Sequence, residues 1–131
     1  MAQFQVKGIN ELAQRLNELG STEETAMRML EEAAPILQEA MRKNSEPHKD
    51  TGAMAESIKP SKPTRGSQGH EIIVRPTGKD KKGVRNMEKM IHLEYGTSKQ
   101  PATPVVLPSV KEAENKVVEK MKEVFEREIL S

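Results

Sequence analysis

The chain has no cysteine and no tryptophan, and its 131 residues include only two phenylalanines and one tyrosine. Without cysteine there are no disulfides, thiolate metal sites or cysteine nucleophiles, which suits a reducing compartment or a chain that needs no covalent staples. Aromatics make up 2% and hydrophobic residues 34% of the sequence, so Leu, Ile, Val, Met and Ala must form the core. A large aromatic-walled ligand cavity is not expected. No apolar run approaches the roughly 20 residues that a membrane-spanning helix needs. The start, Met1-Ala2-Gln3-Phe4-Gln5, lacks the basic and apolar regions of a secretion signal. The chain therefore reads as soluble and unexported, with no membrane partner, and its length fits one domain over residues 1–131.

The net charge of +1 conceals an uneven distribution. Residues 42–89 hold 12 Lys and Arg against 6 Asp and Glu, a net of +6, whereas the two flanks together hold 9 against 14, a net of −5. A basic middle and acidic ends call for separate explanations.

Hydropathy patterning supplies the elements. Phe4-Gln5-Val6 alternates apolar and polar before Gly8, as a very short strand does. Ile9, Leu12, Leu16 and Leu19 line one helical face that ends at Gly20. Ser21-Thr22-Glu23-Glu24 has the form of a capping box and opens a second helix. Its wide apolar face includes Met27, Leu30, Ala34, Leu37 and Met41, and it is expected to continue with a kink past Pro35 to about Asn44. After a run of turn formers, Ala53 to Ser57 fits one helical turn capped by Asp50 or Thr51. His70 to Arg75 reads as a strand forming a hairpin with the region of Ile58, and Met90 to Tyr95 as a further strand ended by Gly96. Between them, residues 77–89 are basic, punctuated by glycine and expected to be a mobile loop. Pro101, Pro104 and Pro108 hold an extended connector. A last helix is expected from Pro108 or Ser109 to about Leu130, with Val110, Ala113, Val117, Met121, Val124 and Phe125 turned inward. The implied class is α+β: a small antiparallel β-sheet packed against N-terminal helices and a long C-terminal helix.

Few motifs carry chemistry. Asp50-Thr51-Gly52 matches the triplet of aspartic proteases, but it follows Pro47-His48-Lys49 rather than an apolar strand and has no second copy, so capping explains it better. His48, His70 and His92 with Glu94 complete no metal-ligand spacing. Phosphate-loop, dinucleotide, zincin and hydrolase-elbow motifs do not occur. No catalytic residue, metal or cofactor is therefore assigned, and no enzymatic role is expected. The basic loop, with Lys79, Lys81, Lys82, Arg85 and Lys89, could meet DNA phosphates or an acidic protein, although no aromatic residue interleaves to stack on bases. A small DNA-binding accessory protein using residues 76–89 is thus the alternative reading.

One combination is more specific. Asp50-Thr51-Gly52-Ala53-Met54-Ala55-Glu56-Ser57-Ile58 is followed by His92-Leu93-Glu94-Tyr95-Gly96-Thr97-Ser98-Lys99-Gln100-Pro101-Ala102-Thr103-Pro104, and then by Pro108 opening a helix. This order resembles the head-tail joining and tail-completion (neck) proteins of tailed bacteriophages and prophages, whose pattern is D-T-G-x-L-x-x-S-I and then E-[FY]-G-T-x-x-x-P-A-x-P-F-x-x-P-A. The similarity covers almost the whole chain. Met54 stands for the usual leucine, Val105 and Val106 stand where an aromatic is common, and Ser109 stands where alanine is frequent.

The resemblance implies a structural virion protein without catalytic activity. It would sit at the virion neck after assembly in the host bacterial cytoplasm and self-associate into a ring, six-fold in the particle and monomeric when isolated. Its neighbours would be connector or head-closure proteins and tail-tube proteins, with DNA passing nearby. Lys79, Lys81, Lys82, Arg85, Lys89, Tyr95, Gly96 and Thr97 are the candidate assembly-interface residues. Asp50, Thr51, Gly52, Pro101, Pro104 and Pro108 are the structural motif residues.

Overall fold

The structure is a computed structural model that describes residues 23–48, 52–66 and 69–130. The strand expected at Phe4 to Val6, the helix from Ile9 to Leu19, the Ser21 cap and the capping roles of Asp50 and Thr51 lie outside the described residues.

Helix α1 spans Glu23–Ser45 and passes Pro35 without interruption. Glu23 and Glu24 lie in its first turn and Arg42 and Lys43 in its last, so charged side chains complement the backbone dipole at both ends. Its buried positions Met29, Ala33, Ala34 and Met41 follow helical spacing. A 3-10 turn, Glu46–His48, follows. The expected short turn is helix α2, Ala53–Glu56, and the residue at its N-cap is Gly52.

Two ladders make the β-structure. Strand β1 (Ile58–Pro60) pairs antiparallel with β4 (Val74–Pro76), Lys59 lying opposite Arg75. Strand β2 (Thr64–Gly66) pairs antiparallel with β3 (Gly69–Glu71), Arg65 lying opposite His70. The strand expected from His70 to Arg75 is thus divided at Ile72 and Ile73. Ser61 bridges the division, donating its N–H to the Ile73 carbonyl at 2.8 Å and accepting the Ile73 N–H on its hydroxyl at 3.0 Å. Pro63 has no N–H with which to continue a regular ladder. The outer edge of β1 is covered: the Ile58 carbonyl accepts from Gln38 Nε2 at 2.8 Å and Arg42 Nη2 at 3.1 Å.

Helix α3 occupies Asn86–Tyr95, and this corrects the strand expected at Met90 to Tyr95. Asn86 and Met90 are buried and Leu93 is half-buried, a spacing of four and three that belongs to a helix. Ile91 and Tyr95, which alternate with Leu93 in sequence, face solvent instead.

Helix α4, Val106–Phe125, begins two residues before Pro108 and runs into a π-helical turn, Glu126–Leu130. Helices α1 and α4 pack along their length. Between them Ser109, wholly buried, accepts from Asn44 Nδ2 at 3.0 Å and donates to the Val105 carbonyl at 2.6 Å. One core cluster gathers Met41, Met54, Ile58, Val74, Met90 and Val105, and a second gathers Met29, Ala33, Met121, Val124 and Phe125. Flexible methionines fill space that a chain so poor in aromatics cannot fill with rings. At the far end of the helix pair, Arg28 meets Glu128 at 2.8 Å and Arg127 forks onto Glu32. These pairings lower the pKa of Glu128 and of Glu32 and raise those of both arginines.

Candidate assembly surface

The sequence Glu94-Tyr95-Gly96-Thr97 forms the corner between α3 and α4, and each residue has a distinct part. Glu94 reaches across to the start of α4. Its Oε1 accepts the N–H groups of Val105 at 2.8 Å and Val106 at 2.7 Å, and its Oε2 accepts that of Leu107 at 3.2 Å. The next residue, Pro108, has no N–H, and the Ser109 N–H makes the first bond within the helix, to Val105 at 3.1 Å. All four backbone positions that a helix start normally leaves unpaired are thus accounted for.

Gly96 ends α3 by donating to the His92 carbonyl at 2.9 Å. Its φ is +77°, and a Cβ there would stand 2.8 Å from the Ala102 backbone nitrogen and 3.0 Å from the Gln100 carbonyl oxygen. The corner is therefore closed to any residue with a side chain. The Thr97 hydroxyl accepts the N–H groups of Lys99 at 3.2 Å and Gln100 at 3.1 Å, which holds the turn by its own backbone. The Thr103 N–H returns to the Leu93 carbonyl at 2.8 Å. Pro101 and Pro104 lie exposed along this connector. Tyr95 is 70% exposed and turns most of its ring to solvent.

The basic segment is a second built feature: the loop expected over residues 77–89 gives way to helix at Asn86, and the part before it is hydrogen-bonded. Asp80 organises it. Asp80 Oδ1 accepts the N–H groups of Lys82 at 2.9 Å and Val84 at 3.0 Å, while its N–H donates to the Val84 carbonyl at 2.9 Å. Lys79 and Arg85 face each other across an isolated bridge, and the last residues of the segment already belong to α3. Lys89 reaches Asp80 Oδ2 at 2.6 Å and ties the turn to the helix. This ammonium first, then the Val84 N–H, holds the Asp80 carboxyl below its usual range against the opposing effect of burial.

The five candidate cations therefore divide. Lys89 is partly buried and engaged, whereas Lys79, Lys81, Lys82 and Arg85 are exposed and, among the described residues, form no ion pair. They stand at the N-terminal end of α3 and Tyr95 at its C-terminal end, roughly 14 Å apart along the axis. Exposed Ile91 shares the Tyr95 face at i,i+4 spacing.

Of the motif residues, Gly52 is buried, with φ +82°, at the start of α2. His92 is exposed and Glu94 caps a helix, so the two do not act as a pair. No group of three or more His, Asp or Glu able to hold a metal gathers among the described residues. No helix among them is long and apolar enough to cross a membrane. Sequence reasoning missed the roles of Glu94, Asp80 and Ser109. For Asp80 a signal exists, since Asp followed by a glycine-containing turn favours side-chain bonds to its own backbone.

A helix pair closing a small β-layer, with a braced corner and an exposed basic turn, is the build of a structural domain whose conspicuous features face outward. Residues 10–96 match the family model described as "Bacteriophage HK97-gp10, putative tail-component", and the chain belongs to that family. It is accordingly a phage structural protein of the tail-component type, and the virion is its place. Neither a curated protein nor a solved structure matches the chain.

Proposed function

We propose that this chain acts at the neck of a tailed phage or prophage, joining head to tail or completing the tail by closing into a six-fold ring. The supporting observation is the surface along α3, where a hydrogen-bonded turn presents Lys79, Lys81, Lys82 and Arg85 at one end and Tyr95 stands exposed at the other. A turn whose backbone is already hydrogen-bonded and a solvent-facing tyrosine suit a protein contact better than an irregular loop would, because less backbone freedom is lost on binding.

The complementary surface is on the same chain. Glu31 and Glu39 on α1, Glu119 on α4 and Glu126 just beyond it are exposed. A basic patch on one subunit meeting an acidic patch on the next is a heterologous contact, and a heterologous contact closes into a ring when the rotation permits. The flanking contacts would be made with connector or head-closure proteins on one side and tail-tube proteins on the other.

The test reverses the charge at Lys81, Lys82 and Arg85 together, which leaves the Asp80–Lys89 brace intact. Light scattering and negative-stain imaging then follow self-association, and antibody against the chain locates it on particles from a lysate. The expected result is label at the head-tail junction for the unaltered protein and loss of rings and label for the variant, with an unchanged circular dichroism spectrum. Unaffected assembly overturns the reading, as does steeply salt-dependent binding to duplex DNA by a protein absent from every particle.

A further inference from the structure

Along α1, Glu24, Arg28 and Glu32 recur every fourth residue, so charges of alternating sign share one face of the helix. The terminal turn after α4 supplies two more, Arg127 and Glu128. Together they close a chain. Arg28 contacts Glu24 at 3.2 Å and Glu128 at 2.8 Å. Glu128 contacts Arg127 at 3.4 Å. Arg127 grips both oxygens of Glu32, with Nη1 at 3.2 Å from Oε1 and Nη2 on Oε2. The order Glu24, Arg28, Glu128, Arg127, Glu32 alternates in sign throughout and passes twice between α1 and the terminal turn.

We propose that this chain of charges is a latch: it holds the terminal turn, Glu126–Leu130, on α1 and releases it when ions screen the charges, ahead of the rest of the helix pair. A single exposed ion pair holds little, but a bidentate arginine within a network holds more. Glu128 and Glu32 are the shielded members, with side chains 23% and 31% exposed, while Arg28, Arg127 and Glu24 stay open to solvent ions. The network therefore holds in dilute salt yet remains within reach of screening, whose length shrinks from about 30 Å at 0.01 M to about 3 Å at 1 M. The turn is also the last of its helix, where the final carbonyls have no partner further along, and it adjoins Val124 and Phe125 of the second core cluster. Its release frees one end of that cluster.

Acid acts in the same direction. Hydrogen bonds from Arg127 to Glu32 and from Arg28 to Glu128 hold both carboxyls below their usual range against the effect of burial. The charges of Arg127, Lys120 and Arg28 add to this at Glu32, and those of Arg28 and Arg127 at Glu128. Their contribution is present above the range of an unfolded glutamate and is lost as pH falls through the folded values. The latch does not depend on the neck assignment.

Hydrogen exchange on the full chain tests it. Raising NaCl from about 0.01 M to 1 M at neutral pH is expected to lower protection at residues 126–130 roughly tenfold, with residues 110–121 of α4 unchanged. Arg127→Glu is expected to cause the same loss in dilute salt and to abolish the salt dependence. None of the five charged residues belongs to a core cluster, so the whole network can be reversed. Glu24→Arg, Arg28→Glu, Glu32→Arg, Arg127→Glu and Glu128→Arg together are expected to restore both protection and salt dependence, which an effect of side-chain shape would not. Protection at residues 126–130 that ignores both salt and Arg127→Glu overturns the proposal. So does an equal loss along all of α4, and so does a reversed network no better protected than Arg127→Glu alone.

Discussion

The carboxylate of Glu94 lies 2.7 Å from the backbone nitrogen of Val106, and this contact anchors the start of the last helix to the corner before it. The two residues are 12 apart in sequence and on different helices, so the bond couples the end of α3 to the start of α4.

Replacing Glu94 with alanine strips the acceptors from three N–H groups. Glu94→Ala is expected to lower stability by about 1–3 kcal/mol, with Glu94→Gln falling between it and the unaltered protein. Urea denaturation measures both, and an unchanged midpoint for the alanine variant would show that water replaces the carboxylate without loss.

Gly96→Ala encounters both a positive φ and a backbone nitrogen at 2.8 Å. Backbone strain alone costs roughly 1–2 kcal/mol, and the close contact adds to it. The variant should show a clear fall in thermal midpoint, whereas a midpoint equal to that of the unaltered protein would place the corner elsewhere.

Asp80 gives the basic turn a pH dependence of known sign. Its carboxyl is held below the range of an unfolded aspartate, so its contribution is fully present above that range and is lost as pH falls through the folded value. Amide protection at Lys82 and Val84 should decline in acid and be absent at neutral pH in Asp80→Ala. Protection in that variant equal to that of the unaltered chain would mean that the turn is held by something else.

Tyr95→Ala should leave stability within about 0.5 kcal/mol, because the residue is mostly exposed. Self-association is expected to weaken strongly at the same time. A large loss of stability, or full assembly, would remove Tyr95 from the interface.

The two long helices were legible because their apolar residues recur every three or four positions over five turns or more, which chance rarely imitates. The hairpin was legible from β-branched residues bounded by glycine and proline, though not its division at Ile72 and Ile73, which depends on how Ser61 pairs across it. Helix α3 was hidden for a definite reason. Its first turn lies in the basic stretch, and a reading that starts at Met90 leaves only Ile91, Leu93 and Tyr95, whose alternation imitates a strand. Of the corner, the parts of Gly96 and Thr97 follow from local chemistry. Glu94 could not be read that way, because its partners are reached through space and only the fold brings them near.

The entrance to α4 has a further consequence. A helix start usually attracts anions through unpaired N–H groups, but here a carboxylate occupies three positions and proline removes the fourth. Nothing there remains for a phosphate or a partner's carboxylate to grip. On the proposed reading a negatively charged neighbour would instead be held by Lys79, Lys81, Lys82 and Arg85, whose pull fades beyond about 8 Å at physiological ionic strength. Raising the salt concentration should therefore loosen what this surface holds long before it disturbs the corner at the other end of α3.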